Sequence, residues 1–240
     1  MKLTGSFSRL AFYGAVAAGI AISSTAWAAA GSATITKVVG KAEMSTDGTT
    51  WTAATVAKAL PPGSSIRTPA GGQVDVSLQG NGGTVQLSAS TELKFERLST
   101  TSSGAGTVAD TGLDLKAGTI IGRVTQLPSG SKYDVKTPTS VIAINTARGP
   151  SKYQISANGN SSAIDGQLVV ARSGGNPATV NAGQTFNGTG AASGTVTATP
   201  PAILLSLPDP TGPDLVSTPT APTAPTVQFI APVVSGTTGN

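Results

Sequence analysis

Between Ser32 and about Gly190 the sequence breaks into short alternating runs closed by glycine, and this rhythm limits the fold more than any other feature. Val74, Val76 and Leu78 alternate with Gln73, Asp75 and Ser77, the two-residue period of a strand with one buried face. Glu92-Leu93-Lys94-Phe95-Glu96-Arg97-Leu98 repeats it, placing Leu93 and Phe95 on one side with Arg97 in the same phase. Further runs lie at 33–40, 119–124, 133–136, 140–144, 153–155, 168–170 and 178–180. Asp47-Gly48 and Gly80-Asn81-Gly82-Gly83 supply turn chemistry between them, and Ser99 to Gly106 reads as an exposed Gly/Ser loop. The only helical candidate within this region, Ala53 to Leu60, is short and stopped by Pro61-Pro62. About a dozen short strands predict an all-β domain: a sandwich, a barrel or a solenoid.

The N-terminus has a different pattern. Lys2 and Arg9 precede an apolar run from Leu10 to Ile22, a polar break, and Ala26-Trp27-Ala28. A spanning helix needs roughly 20 residues, so this run has the length of a signal-peptide core, and the small-x-small triplet places cleavage after Ala28. Residues 1–28 are therefore expected to be a signal peptide, with no membrane span after its removal. The expected location is extracytoplasmic: periplasm, cell surface or secreted.

Composition then removes several kinds of chemistry. With no cysteine, the chain has no disulfide, thiolate metal site or lipoprotein anchor. With no histidine, it lacks Ser-His-Asp and Cys-His catalysis and the common metal ligands. Its basic residues are scattered singly, which gives no footprint for nucleic acid. Charged residues are only 11% of the chain. Gly, Ser and Thr take their surface positions, as suits a β protein or one that packs into an assembly.

Asp110-Thr111-Gly112 and Ile120-Ile121-Gly122-Arg123 resemble fragments of retroviral-type aspartic proteases, but about ten residues separate them where that fold needs several strands. Asp110 reads instead as a turn residue. The pairs Glu92/Glu96 and Asp110/Asp114 have the spacing of a strand's solvated face rather than a glycosidase dyad. Asp47 and Asp165 each precede glycine without a ligand-spaced acidic cluster. Trp51, beside the Asp47-Gly48 turn, is the best exposed aromatic and the one binding candidate. No catalytic, cofactor or metal residue is assigned.

From Ala191 the character changes again. The last fifty residues hold nine of the sixteen prolines and two charges, Asp209 and Asp214. Thr-Pro-Thr-Ala-Pro-Thr-Ala-Pro (218–225) predicts an extended, disordered tail over 191–240. Two apolar islands, 203–207 and 227–234, interrupt it, and a solvated linker gains nothing from them. At least one is expected to dock on this chain or on a partner.

Four stretches in order resemble the FecR domain. They are Val38-Val39-Gly40-Lys41-Ala42 with Trp51 and Leu60-Pro61-Pro62-Gly63-Ser64-Ser65-Ile66-Arg67-Thr68; Val74-Asp75-Val76-Ser77-Leu78 with Thr84-Val85-Gln86-Leu87; Leu115-Lys116-Ala117-Gly118-Thr119-Ile120 leading to Tyr133-Asp134-Val135-Lys136-Thr137-Pro138-Thr139-Ser140-Val141-Ile142-Ala143; and Asp165-Gly166-Gln167-Leu168-Val169-Val170 ending at Val180-Asn181-Ala182-Gly183-Gln184. Together they span about 33 to 185, within an expected domain of 29–190. The family's Arg-Gly-Thr turn is altered here to Ala147-Arg148-Gly149-Pro150, so no binding role passes to Arg148. The resemblance implies an exported, non-enzymatic binding or scaffolding module of the bacterial envelope, with a β-solenoid-like or sandwich-like build. Its partner would be an envelope or extracellular protein or glycan. The alternative is a self-assembling subunit of a surface layer, matrix or filament.

Overall fold

The computed structural model describes residues 27–103, 106–188 and 195–198. The expected signal segment up to Ala26 and the tail at 191–194 and 199–240 lie outside them. In chain order the strands are β1 (Trp27–Ala30), β2 (Ser32–Val39), β3 (Glu43–Ser45), β4 (Thr52–Ala53), β5 (Ala59–Leu60), β6 (Ser65–Thr68), β7 (Gln73–Gln79), β8 (Gly83–Leu87) and β9 (Thr91–Ser103). They continue with β10 (Gly106–Ala117), β11 (Thr119–Val124), β12 (Lys132–Lys136), β13 (Ser140–Asn145), β14 (Ser151–Ser156), β15 (Ser161–Asp165), β16 (Gln167–Arg172), β17 (Ala178–Asn181), β18 (Gln184–Asn187) and β19 (Thr195–Ala198). The described residues form no helix. At Ala53 to Leu60, the short helical candidate, the chain makes β4, a turn with Ala57 at φ 64°, and β5.

Two sheets share one core. The first runs β17, β16, β13, β12, β10, β9, β6, β3, β4, with β1 also on β9; the second runs β19, β18, β15, β14, β11, β8, β7, β2, β5. Only β10 and β12 pair in parallel among the described residues; every other ladder is antiparallel. From β6 onward each sheet adds its strands in sequence order, so the chain laces from one sheet to the other and advances along a single axis. Packing is that of a sandwich, while the progression is that of a solenoid.

The alternation seen in the sequence becomes rows of core side chains. In the second sheet Val38, Val74, Leu87, Ile120, Ile155, Ser161, Phe186 and Val196 lie directly opposite one another from strand to strand. In the first sheet Phe95, Leu113, Val135, Ile142 and Val170 do the same. Apart from Ser161 and the exposed Val196 these side chains meet in one cluster, and each fully buried aliphatic contributes about 1.5–3 kcal/mol. Tyr133 of the first sheet and Tyr153 of the second meet edge to face at 6.1 Å, with their hydroxyls 2.9 Å apart. Burial pushes both phenols above their ordinary pKa, so the pair stays neutral.

Among the sheet crossings that take a single residue are Gly118 between β10 and β11 and Gly166 between β15 and β16. Their φ values of 79° and 76° belong to the left-handed region, which glycine enters without a Cβ penalty. A further link is Asn81, in the turn between β7 and β8. Its fully buried amide donates to the Asp110 carbonyl at 3.2 Å and to Thr111 Oγ1 at 2.6 Å, tying the second sheet to β10 in the first.

Three details depart from the sequence reading. β9 and β10 run on through most of the Gly/Ser stretch read as a loop, because Thr and Ser there extend the hairpin ladder. β19 lies beyond residue 190 yet pairs with β18, since Thr195-Val196-Thr197-Ala198 alternates like the other strands. The expected cleavage point after Ala28 falls inside β1, whose Ala29 and Ala30 pair with Thr100 and Ser99.

Candidate functional site

The outer face of the first sheet is where the charge of this charge-poor chain collects. Of its fifteen basic and eleven acidic residues, seven basic and six acidic stand here. The cations are Lys41, Arg67, Lys94, Arg97, Lys116, Lys132 and Lys136; the anions are Glu43, Glu92, Glu96, Asp110, Asp114 and Asp134. Strand register sets them against one another with alternating sign. Arg67 of β6 stands between Glu43 of β3 and Glu92 of β9. Asp114 of β10 stands between Lys94 of β9 and Lys136 of β12. Opposite charges across a ladder contribute roughly 0.2–1 kcal/mol per pair. The face is therefore a nearly neutral mosaic rather than a charged patch.

A β-bulge explains why Arg97 belongs to it. The β9 to β10 register passes from Arg97 opposite Gly112 to Phe95 opposite Leu113, leaving Glu96 as the extra residue. The alternation slips by one, so Arg97 turns outward instead of continuing the Leu93 and Phe95 side. Its guanidinium crosses over Gly112 to Asp134, with Nη2 to Oδ1 at 2.7 Å, and also meets Asp110 at 3.3 Å. A Cβ on Gly112 would come within 2.7 Å of that guanidinium carbon. Asp110-Thr111-Gly112 thus has a structural account in the middle of a strand, not in a turn: an ion-pair partner, a buried hydroxyl for Asn81, and a gap for Arg97. Partial burial raises the Asp134 carboxyl above the usual range in spite of the nearby Arg97 charge. Asp114, nearly buried, is held by Lys116, whose ammonium that hydrogen bond raises.

At the β3 end of this face lies a cleft of about 440 Å³, lined by Lys41, Glu43, Arg67, Thr68, Pro69, Ser90, Thr91, Glu92 and Ala117. Arg67 is its fixed point. Its Nε donates to Glu43 Oε2 at 2.6 Å, and its guanidinium carbon sits 4.1 Å from the centroid of Trp51. The turn before Trp51 is equally well tied. Asp47 Oδ1 accepts the backbone N–H groups of Thr50 at 2.7 Å and Thr49 at 2.8 Å and the Ser45 hydroxyl at 2.9 Å. Those bonds, the Thr50 and Thr49 amides first, hold its carboxyl far below the usual carboxylate range. Asp47 is therefore a turn anchor, and Trp51 is half-buried with one ring face taken by Arg67 rather than an open platform. Thr68 and Thr91 spend their hydroxyls on backbone carbonyls, Thr68 on Ser88 at 2.6 Å and Thr91 on Thr119 at 3.1 Å, which fixes the floor of the cleft.

Sequence reasoning reached Trp51 but not Arg67, Glu43, Glu92 or Lys41, which come from three separate strands and a loop. The one available signal was Arg67 at an outward position of a strand rich in Ser and Thr. The remaining acidic candidates have local roles: Asp165 accepts the Gly166 N–H at 2.8 Å, and among the described residues no three acidic side chains converge as a metal would require.

No family model matches this chain, and no curated protein matches it. Among solved structures it is similar to two crystal structures of a "putative anti-sigma factor" from Parabacteroides distasonis, with TM-scores of 0.43 and 0.44 and 14% identity in each case. Each match covers 56% of this chain and spans 59% of the solved one.

Proposed function

We propose that this chain is a non-enzymatic, extracytoplasmic binding or scaffolding module of FecR-like type, and that it takes its partner at the Arg67 cleft, beside Trp51. The observation that carries the reading is the preset cation there: Arg67 is clamped by Glu43 beneath Trp51, beside Lys41 and Glu92, and needs little ordering on binding. Charges of both signs suit a protein or glycan partner with polar groups of both kinds, and they disfavour a polyanion such as nucleic acid. The non-enzymatic reading draws on the absence of His and Cys and on the acidic side chains Asp110, Asp114 and Asp134, which serve cations of the same face. The envelope location draws on the N-terminal segment and on the ordered FecR-like stretches.

A second reading, a self-assembling structural subunit, has one observation in its favour. β17 and β19 end their sheets without a charged residue, and an edge of that kind invites another strand. Fractionation of the native host, with intact mass and native size of each fraction, separates the two. A monomer-sized envelope species starting at Ala29 supports the binding module. A large surface or extracellular assembly overturns it in favour of the subunit.

A further inference from the structure

The two ends of the sandwich are finished differently. At one end the sheets stop in β4 and β5, two residues each, too short to template another strand. At the other, the second sheet stops in β19, whose four residues are all exposed and whose second edge takes no strand among the described residues. Register shows what is left open. Val196 lies opposite Phe186, which is buried, so the Val196 side chain points to the core side of the sheet, yet it is 37% exposed. It ends the core row that starts at Val38. Ala198, opposite Gln184, ends the neighbouring row, which passes through Ala163 and the buried Tyr153.

We infer that Ile203-Leu204-Leu205-Ser206-Leu207 of the same chain adds to the free edge of β19 as a further antiparallel strand and closes this end of the core. The sequence leaves β19 at Ala198 and passes through Thr199-Pro200-Pro201-Ala202 before the apolar segment begins. Four-residue connections are among the common hairpin loops, and prolines there cost no ladder bond. A four-residue loop sets Ile203 opposite Ala198 and Leu205 opposite Val196. Ile203, Leu205 and Leu207 then extend the core side, while Leu204 and Ser206 face out beside Thr197 and Thr195. An odd-length loop would reverse the faces and leave Val196 opposite an outward position. Directly after the segment, Pro208-Asp209-Pro210 removes two N–H donors and adds a charge, so the new edge is blunted where β19 is not. A second copy would meet β19 only after displacing a segment tethered four residues away, at an effective concentration of order millimolar or above.

The test is backbone hydrogen exchange on the full chain as a monomer, with Leu205→Asp and Leu204→Asp beside it. Amides within 203–207 are expected to exchange at least about ten-fold more slowly than in a peptide of the same sequence. Leu205→Asp should abolish that protection, and Leu204→Asp should keep it. Exchange at the peptide rate in the monomer overturns the inference. So does equal sensitivity to both substitutions, or protection that appears only as concentration raises a dimer; that last result would give the edge to a second copy.

Discussion

Tyr153 and Arg97 each reach over a glycine, and the two cases separate what the core needs from what the surface tolerates. A Cβ on Gly122 would collide with the ring and hydroxyl of Tyr153, which is fully buried and bonded to Tyr133. A Cβ on Gly112 meets only the end of Arg97, a side chain that can swing into solvent. Gly122→Ala is expected to cost about 2–4 kcal/mol, as overpacking with loss of a buried polar contact does. Gly112→Ala should cost under about 1 kcal/mol, the worth of an exposed ion pair. Urea unfolding of the two variants measures both; equal costs would mean that Tyr153 has room to move. Acid stability gives a second contrast at this scale. The lowered pKa of Asp47 makes its contribution full above the ordinary Asp value near 4, and that contribution is lost as pH falls toward the folded pKa. The raised pKa of Asp134 acts with the opposite sign: its ionisation costs stability as pH rises from about 4 through the folded value, so acidification returns some. Thermal melts between about pH 6 and 2 should therefore fall less steeply for Asp47→Asn than for the parent, and more steeply for Asp134→Asn. A parallel shift of all three curves would remove both assignments.

Strands were legible where one face is apolar, and illegible where register intervenes. The runs at Val74 to Leu78 and Tyr133 to Lys136 could be placed from alternation alone, because a two-residue period with an apolar face has few other uses. β9 could not be read to its end. Its phase changes at the Glu96 bulge, a property of the pairing with β10 and not of either sequence alone. Asp110-Thr111-Gly112 was opaque for the same reason, since its partners Arg97, Asn81 and Asp134 come from three other segments. Asn81 shows how much one turn residue can hold between elements. Asn81→Ala leaves Thr111 Oγ1 and the Asp110 carbonyl without this donor in a closed site, at a cost of about 1–3 kcal/mol. Hydrogen exchange should then rise in both the β7/β8 hairpin and β10. A loss confined to the hairpin would show that Asn81 does not couple the sheets.

As a whole, the molecule is a laced two-sheet sandwich that concentrates its few charges on one outer face and sets a preorganised cleft at one end of that face. The all-β class followed from the glycine-closed rhythm, but the distribution of strands between two sheets did not, because hairpins and sheet crossings are both marked by glycine. The near balance of charge on the mosaic likewise hid in the composition, where seven cations and six anions look like sparse decoration. If the Arg67 cleft beside Trp51 meets the partner, site-specific photo-crosslinking in the native host will show it. A crosslinker at Ser90, in the cleft wall, should give a discrete adduct that is lost when Arg67→Glu is added, while one at Gln154, on the outer face of the second sheet, should give none. Equal adducts from both positions, or a Ser90 adduct indifferent to Arg67→Glu, would contradict it.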